Sequence, residues 1–500
     1  MAAIITDKIK LQLAQTIFDE FNTANLGDSN NYYYIGVGRS QQWQAEAETD
    51  VVPNTTAADN HEREERLFRY NLQSVKAAEN LSFVIPGGPD YDWSANKEYY
   101  EYSDAIAGQP QATFYVRTDE NKVYICIRKG KNGDGTAKTS TVKPDHTNTA
   151  LVPETDGYVW KYLYTITTTA ANNFLTTNFM PVEFVDSAAP TDPRFSQLSV
   201  QNAAVPGQII GYRVINPGGP YSGTVHSSGI KVGPALTIIG DGTNAKAYPI
   251  LNPINNSIAA VEVGDSPDAA AISFVSDQGA NYKYANVSVS SATLQAGGSN
   301  AVIAPVFGPR NGIGADARRD LRSTSLMFNI KPVGGVDVNN EPTWPVDQDY
   351  RQIGLIKNIR TDSANGEFFT AEAGTALSRM KANLTFGDGD YLQASGEYQL
   401  EFDDDPIIYG TDSNAAGYMV WNDDSATIWY HQTEETGFTQ FADGEAITIP
   451  GKFAGSMTID SANIAPDVDR YSGELLFVSN QSATARDPQQ TEDIKVVVRL

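Results

Sequence analysis

The chain has 500 residues, 41% of them apolar, more than one hydrophobic core accommodates, so several domains are expected. Acidic residues outnumber basic ones by 61 to 36, a net charge of −25 spread along the chain; affinity for phosphate needs a basic footprint, and none is visible, which excludes nucleic acid as a partner. No apolar run approaches the length needed to cross a bilayer, and the stretch from Met1 to Thr6 is too short for a signal-peptide core, so a soluble protein without membrane contact is expected.

In chain order, Thr6-Asp7 cap a helix over 8–21, in which Ile9, Leu13, Ile17 and Phe21 recur at four-residue steps and are expected on one face. Tyr32-Tyr33-Tyr34-Ile35-Gly36-Val37-Gly38-Arg39-Ser40-Gln41-Gln42-Trp43 reads as an aromatic strand whose glycines let a neighbour come close, with Arg39 and Trp43 placed to form a stacked or hydrogen-bonded corner of structural character. A second helix starts at Asp59 or Asn60 and runs through Phe68, acidic in its first turn as the helix dipole favours. Strands over 114–116 and 123–127 flank the hairpin loop Thr118-Asp119-Glu120-Asn121, and the second holds the only cysteine, Cys126. A lone thiol there behaves as a small hydrophobe, no intrachain disulfide forms, and a reducing cytoplasm is the expected place of assembly.

Asp156-Gly157-Tyr158-Val159-Trp160-Lys161-Tyr162-Leu163-Tyr164 follows a turn with a strand whose Tyr158, Trp160, Tyr162 and Tyr164 recur at period two, predicting one aromatic face on a half-buried sheet. From about 205 the composition shifts to Gly, Ala, Ser, Val and Ile, and an internal repeat appears: Val214-Ile215-Asn216-Pro217-Gly218-Gly219-Pro220-Tyr221 aligns with Val275-Ser276-Asp277-Gln278-Gly279-Ala280-Asn281-Tyr282. Asp241-Gly242-Thr243-Asn244-Ala245 likewise aligns with Gly297-Gly298-Ser299-Asn300-Ala301, at a slightly shorter offset. Two small β modules related by duplication are expected. Residues 308–320 read as a junction, 403–451 as an insertion carrying the short aromatic strands around Trp421, Trp429 and Tyr430, and the terminal run Val496-Val497-Val498-Arg499-Leu500 as a strand docked in a sheet.

Catalytic signatures fail on inspection. His61-Glu62 begins like a zinc-protease helix, yet the second histidine's place is taken by Glu65. Residues 130–139 imitate a phosphate loop, but Asn132 and Ala137 stand where glycines are required, leaving a solvated hairpin loop. Asp388-Gly389-Asp390 starts a calcium-like loop that lacks its glycine and glutamate, at Gln393 and Gln399, and Asp403-Asp404-Asp405 reads as a solvated turn before Pro406. The four histidines, His61, His146, His226 and His431, are scattered. No catalytic, cofactor-binding or metal-binding residues are assigned, and an enzyme is not expected.

Four runs together resemble one family. The Gly38-Arg39-Ser40 to Trp43 strand end, the Asp156-Gly157-Tyr158 strand, Tyr350-Arg351-Gln352-Ile353-Gly354-Leu355-Ile356-Lys357-Asn358, and Ser472-Gly473-Glu474-Leu475-Leu476 followed by Gln490-Thr491-Glu492-Asp493-Ile494-Lys495-Val496 occur in the order found in the baseplate wedge proteins, gene product eight, of T-even-like contractile-tailed bacteriophages. The resemblance covers about 1–190, 310–400 and 455–500. It implies a structural subunit of the virion's tail baseplate, assembled in the host cytoplasm, which forms a homodimer and binds other wedge proteins while the sheath contracts.

The fold class expected is mainly β, a β-rich α+β chain of several antiparallel, β-sandwich-like domains with a few short N-terminal helices and inserted small β modules. The expected division is 1–204, a wedge domain; 205–309, the inserted duplicated modules; 310–402 with 452–500, a second wedge domain; and 403–451, the aromatic insertion. The rival reading is a carbohydrate-binding or receptor-facing tail protein, favoured by Trp421, Trp429 and Tyr430, since such rings stack on sugars. A polysaccharide-cleaving enzyme would need a paired carboxylate cleft that the sequence does not display.

Overall fold

The computed structural model describes residues 6–25, 32–43, 52, 61–105, 113–132, 136–227, 229–267, 277–332, 344, 349–362, 367–369, 374–385, 406–422, 427–450, 453–484 and 492–500. The chain is mainly β, built from several antiparallel sheets and one closed barrel, with few helices. It divides into two compact units, the first of residues 1–15, 82–327 and 499–500, the second of 16–81 and 328–498. The starts of the calcium-like and acidic runs, Asp388 to Asp390 and Asp403 to Asp405, lie outside the described residues, as do Asp59, Asn60, Val275 and Ser276.

In the first unit, strands Tyr115–Arg117, Lys122–Arg128, Val159–Thr165 and Val152–Pro153 form one sheet. The loop between the first two closes as its sequence requires: the Thr118 N–H donates to Lys122 O, and Asn121 adopts φ 59°. Tyr158, Trp160 and Tyr162 pack with Tyr99, Val116, Tyr124, Cys126 and Val200 in one fully buried cluster. Two expectations need correction here. The strand is buried on both faces, not half-buried, and Tyr164 does not share the cluster. A bulge between the pairs Val123–Tyr164 and Tyr124–Tyr162 breaks the alternation, and the Tyr164 hydroxyl donates instead to Pro181 O at 2.9 Å.

Residues 209–307, also in the first unit, form a two-sheet sandwich. One sheet orders the strands Leu236–Gly240, Ala285–Val289, Val302–Phe307 and Ile209–Asn216; the other orders Thr224–Val225, Lys231–Val232, Ala247–Leu251 and Ile258–Val263. Tyr221, Leu251, Ile258, Val261, Val287 and Ile303 fill the space between them. The repeat is real in space, but the halves do not form two separate modules. Ile209–Asn216 pairs with Val302–Phe307, and Leu236–Gly240 with Ala285–Val289, so in one sheet the two strands of the second half lie side by side between strands of the first.

The halves also lock reciprocally. Gly219 and Tyr221 pair with Ser299 and Leu294, while Thr243 and Ala245 pair with Ala280 and Gln278. The Tyr221 hydroxyl accepts from the Ala301 N–H at 2.7 Å, and the Tyr282 hydroxyl from the Ala245 N–H at 3.4 Å. Gly218 and Gly279 both sit at left-handed φ, 55° and 66°, where a side chain would strike the opposite half's backbone.

In the second unit, a five-stranded sheet runs in the order Gly374–Thr375, Leu72–Ala77, Tyr33–Gly38, Tyr350–Lys357 and Glu474–Thr484. Gly36 pairs with Gly354 across two strands. Helix α2, His61–Asn71, lays Phe68 on that spot, and a Cβ on Gly354 would lie 2.4 Å from the ring. Six strands close the barrel: Ser378–Thr385, Thr427–His431, Ala416–Asn422, Ile407–Gly410, Ala446–Ile449 and Phe453–Ile464. It therefore takes strands from both sides of the 403–451 segment.

Helix α1 spans Asp7–Asn25. Its sequence face is corrected: Ala14 and Phe21 are buried and Leu11 and Phe18 half-buried, whereas Ile9 and Leu13 are 54% and 52% exposed. Four-residue steps drift around a helix of 3.6 residues per turn, while alternating steps of three and four stay on one face.

Candidate functional site

The runs singled out in the sequence are cores and corners. Asp156 is more than a turn residue. Its Oδ2 accepts from Ser140 Oγ and from the N–H groups of Thr141 at 2.7 Å and Val142 at 3.0 Å, and its Oδ1 accepts from the Tyr158 N–H, so one carboxylate ties the 140–142 loop to the aromatic strand. Tyr158 stacks on Trp160, and Tyr99 meets both edge-on.

In the second unit Arg39, at φ 60°, places its guanidinium 4.3 Å over the Trp43 ring, and the Trp43 indole donates to Gln481 O. Arg351 donates to Ser40 O, and Gln41 Nε2 lies 3.2 Å from His431 Nε2. The stacked corner expected from sequence thus exists. The strands Tyr33–Gly38, Tyr350–Lys357 and Glu474–Thr484 are consecutive neighbours, so runs hundreds of residues apart meet in one sheet.

Two buried arginines that sequence reasoning did not flag hold the same region. Arg69 donates to the carbonyls of Arg470, Ser472 and Gly473 and pairs with Glu65, and Arg470 donates to Tyr70 O and Ala376 O. Each replaces hydration with backbone acceptors, which is how a buried guanidinium is tolerated.

The chemistry rejected in the sequence stays dispersed. His61 is exposed at the start of α2. Burial holds His146 down to about 4 and His431 down to about 3, so both are neutral near pH 7. The 130–139 segment is a hairpin bridged at Lys131 and Ala137, with Gly133 to Gly135 outside the described residues. Its Lys131 is not solvated: the ammonium pairs with Glu262 at 2.6 Å and Glu101 at 3.4 Å, which raise its pKa against the burial. Among the described residues no group of three or more His, Cys, Asp or Glu side chains could hold a metal ion, and no helix is long and apolar enough to cross a membrane.

One buried titratable pair had no signal in the sequence. Asp320 is 1% exposed, ends the short helix Ala317–Asp320, and accepts from the Gly314 N–H through Oδ2, while its Oδ1 has no partner among the described residues. Burial pushes its carboxyl up to about 8. Lys161 borders the same glycine, donates to Thr149 O, and is pushed down by burial to about 8; it lines a cavity of about 220 Å³ with Thr149, Leu151, Ile210 and Ile313.

The aromatic hairpin is no open platform, since Trp429 and Tyr430 are buried and Trp421 packs edge-on against Trp429 at 4.4 Å. Exposed rings stand elsewhere in the second unit. Phe438 and Tyr471 flank Tyr70, at 5.0 and 6.3 Å between ring centres, and with Asp362 and Gln432 border a pocket of about 260 Å³. Neither a protein-family model nor a curated protein sequence matches the chain.

Proposed function

We propose that this chain is a structural subunit of the baseplate wedge of a contractile phage tail, holding wedge proteins together through protein–protein contacts during assembly and sheath contraction. The observation that carries the reading is the four runs in the order of the wedge family, three of which interlock: the Arg39 to Trp43 corner bonds to the Tyr350–Lys357 and Glu474–Thr484 strands. Such a lattice of buried arginines, aromatic corners and paired strands suits a part that transmits force. The homodimer rests on the resemblance. The 25 tyrosines and 20 phenylalanines argue for it less than their number implies, because Tyr34, Tyr99, Tyr124, Tyr158 and Tyr221 already lie in the chain's own cores.

Reconstruction of the intact particle tests the assignment: density for this chain, in two-fold pairs at the baseplate periphery, is expected, and a baseplate without it overturns the reading. Light scattering at micromolar concentration should give twice the chain mass. Carbohydrate binding stands second, now on Tyr70, Phe438 and Tyr471 rather than the hairpin tryptophans. Selective glycan-array binding, abolished by Tyr471→Ala, would put it first.

A further inference from the structure

A pocket of about 620 Å³ in the first unit is cationic on a chain of net charge −25. Lys8, Arg310, Arg319 and Arg322 line it together with Asp7 and Asp316. Asp316 is already spent: both its oxygens accept from Arg318, at 3.0 and 3.1 Å, and Arg318 is in turn anchored on Gln15 and the Phe184 ring. That leaves Asp7 as the other carboxylate in a lining that holds four cations. Arg310 and Arg319 are exposed and make no ion pair among the described residues.

Arg322 is held in place at a conformational cost. Its φ is 54°, a left-handed setting that non-glycine residues adopt at a penalty, and its guanidinium donates to Ser103 O at 2.8 Å while lying 5.8 Å from the Tyr102 ring centre. Leu11, Tyr102 and Pro309 give part of the wall an apolar surface, beside the polar Gln12, Gln15 and Thr324. Guanidinium forks match carboxylates, and an apolar wall beside them matches the side chain next to that carboxylate. Nucleic acid fits poorly, because a duplex or strand needs a continuous basic track, whereas these cations are confined to one pocket.

We propose that this pocket docks an acidic peptide segment of a partner protein, carboxylates on Arg310, Arg319 and Arg322 and an apolar side chain against Leu11, Tyr102 and Pro309. It names a contact of the kind the structural-subunit reading requires and rests on that reading for the occupant being a protein. Peptide binding reports on the pocket, whereas particle reconstruction reports on the assignment, so either can fail alone.

The test uses the full chain and fluorescein-labelled hexapeptides: Glu-Leu-Glu-Phe-Glu-Leu, its Gln-for-Glu counterpart and its Lys-for-Glu counterpart, with an oligothymidylate and inorganic phosphate as competitors. Binding by the acidic peptide alone is expected, weakening with salt, and falling about tenfold for each of Arg310→Gln and Arg319→Gln, the loss of one charge-assisted contact. Both residues are exposed, so melting should be unchanged. Arg319→Glu should reverse the preference towards the lysine peptide, which no folding defect would do. Absence of acidic-peptide binding, equal binding by the arginine variants, or displacement by oligothymidylate or phosphate at lower concentration than by unlabelled peptide would overturn the proposal.

Discussion

Replacing Asp320 by Asn separates two descriptions of the buried pair. Burial raises the Asp320 carboxyl to about 8 and lowers the Lys161 ammonium to about 8, so near neutral pH the acid is protonated in the folded chain. An unfolded aspartate titrates near 3.9, so the unfolded chain loses its proton first as pH rises. The stability associated with the neutral acid is therefore whole below about pH 4 and is lost progressively as pH climbs to about 8. Lys161 acts in the complementary window: its folded value is depressed, so stability recovers between about pH 8 and the unfolded value near 10.4. Asn keeps the acceptor for the Gly314 N–H and cannot ionise.

Between pH 5 and pH 8 the ceiling is about 1.4 kcal/mol per pH unit over roughly three units, near 4 kcal/mol. Relaxation and water entry at buried charges reduce this, and about 2 kcal/mol is expected. Asp320→Asn should thus gain about 2 kcal/mol on the wild type between pH 5 and pH 8, read from urea dependence of hydrogen exchange in peptides covering Tyr158 to Thr165 and Gly314 to Leu321. If both groups were instead charged and paired, removing one would leave the other stranded and cost about 3–5 kcal/mol at pH 8. A variant less stable than wild type at pH 8 would refute the neutral-acid account by sign alone.

Three further outcomes are expected. Trp160→Ala should lose about 3–5 kcal/mol, because the indole is fully buried between Tyr99 and Tyr158, and an unchanged melting temperature would place the residue at a surface. Gly354→Ala should cost about 1–3 kcal/mol by driving a methyl into Phe68, and Phe68→Leu should make that second change milder, so additive losses in the double variant would show that the clash is not the cause. Tyr221→Phe should destabilise by about 1–2 kcal/mol through the orphaned Ala301 N–H, more than Tyr282→Phe, whose bond is longer, and thermal scans giving the reverse order would contradict the geometry.

Much of this fold is legible where local chemistry dictates it. The hairpin at Asn121 follows from a turn residue between two apolar runs, and the Arg39 and Trp43 corner from a cation spaced to reach an indole. Alternation misled at Tyr164, because a bulge is a property of two strands and is invisible in one. Helix α1 misled because four-residue spacing imitates a face without closing on one. Asp320 and Lys161 gave no signal at all: each is an ordinary charged residue in sequence, and only the chain folding over Gly314 removes water from both. The arginine pocket was hidden likewise, since Lys8 and Arg319 meet only through tertiary structure.

The duplicated sandwich shows how far a repeat can be read without its topology. Alignment locates Tyr221 opposite Tyr282 and Ala245 opposite Ala301, yet the bonds run crosswise, from Tyr221 to Ala301 and from Tyr282 to Ala245. Each half thus supplies the acceptor for a half-buried N–H of the other, and each glycine turn is shaped by the other half's backbone. Were the halves separate modules, a polar group lost in one would be felt there alone. With strands of the second half held between those of the first, the core of Tyr221, Leu251, Val287 and Ile303 draws on both halves, so neither can bury its apolar face without the other. The stable unit is therefore the pair, and the repeat in the sequence marks half of a domain.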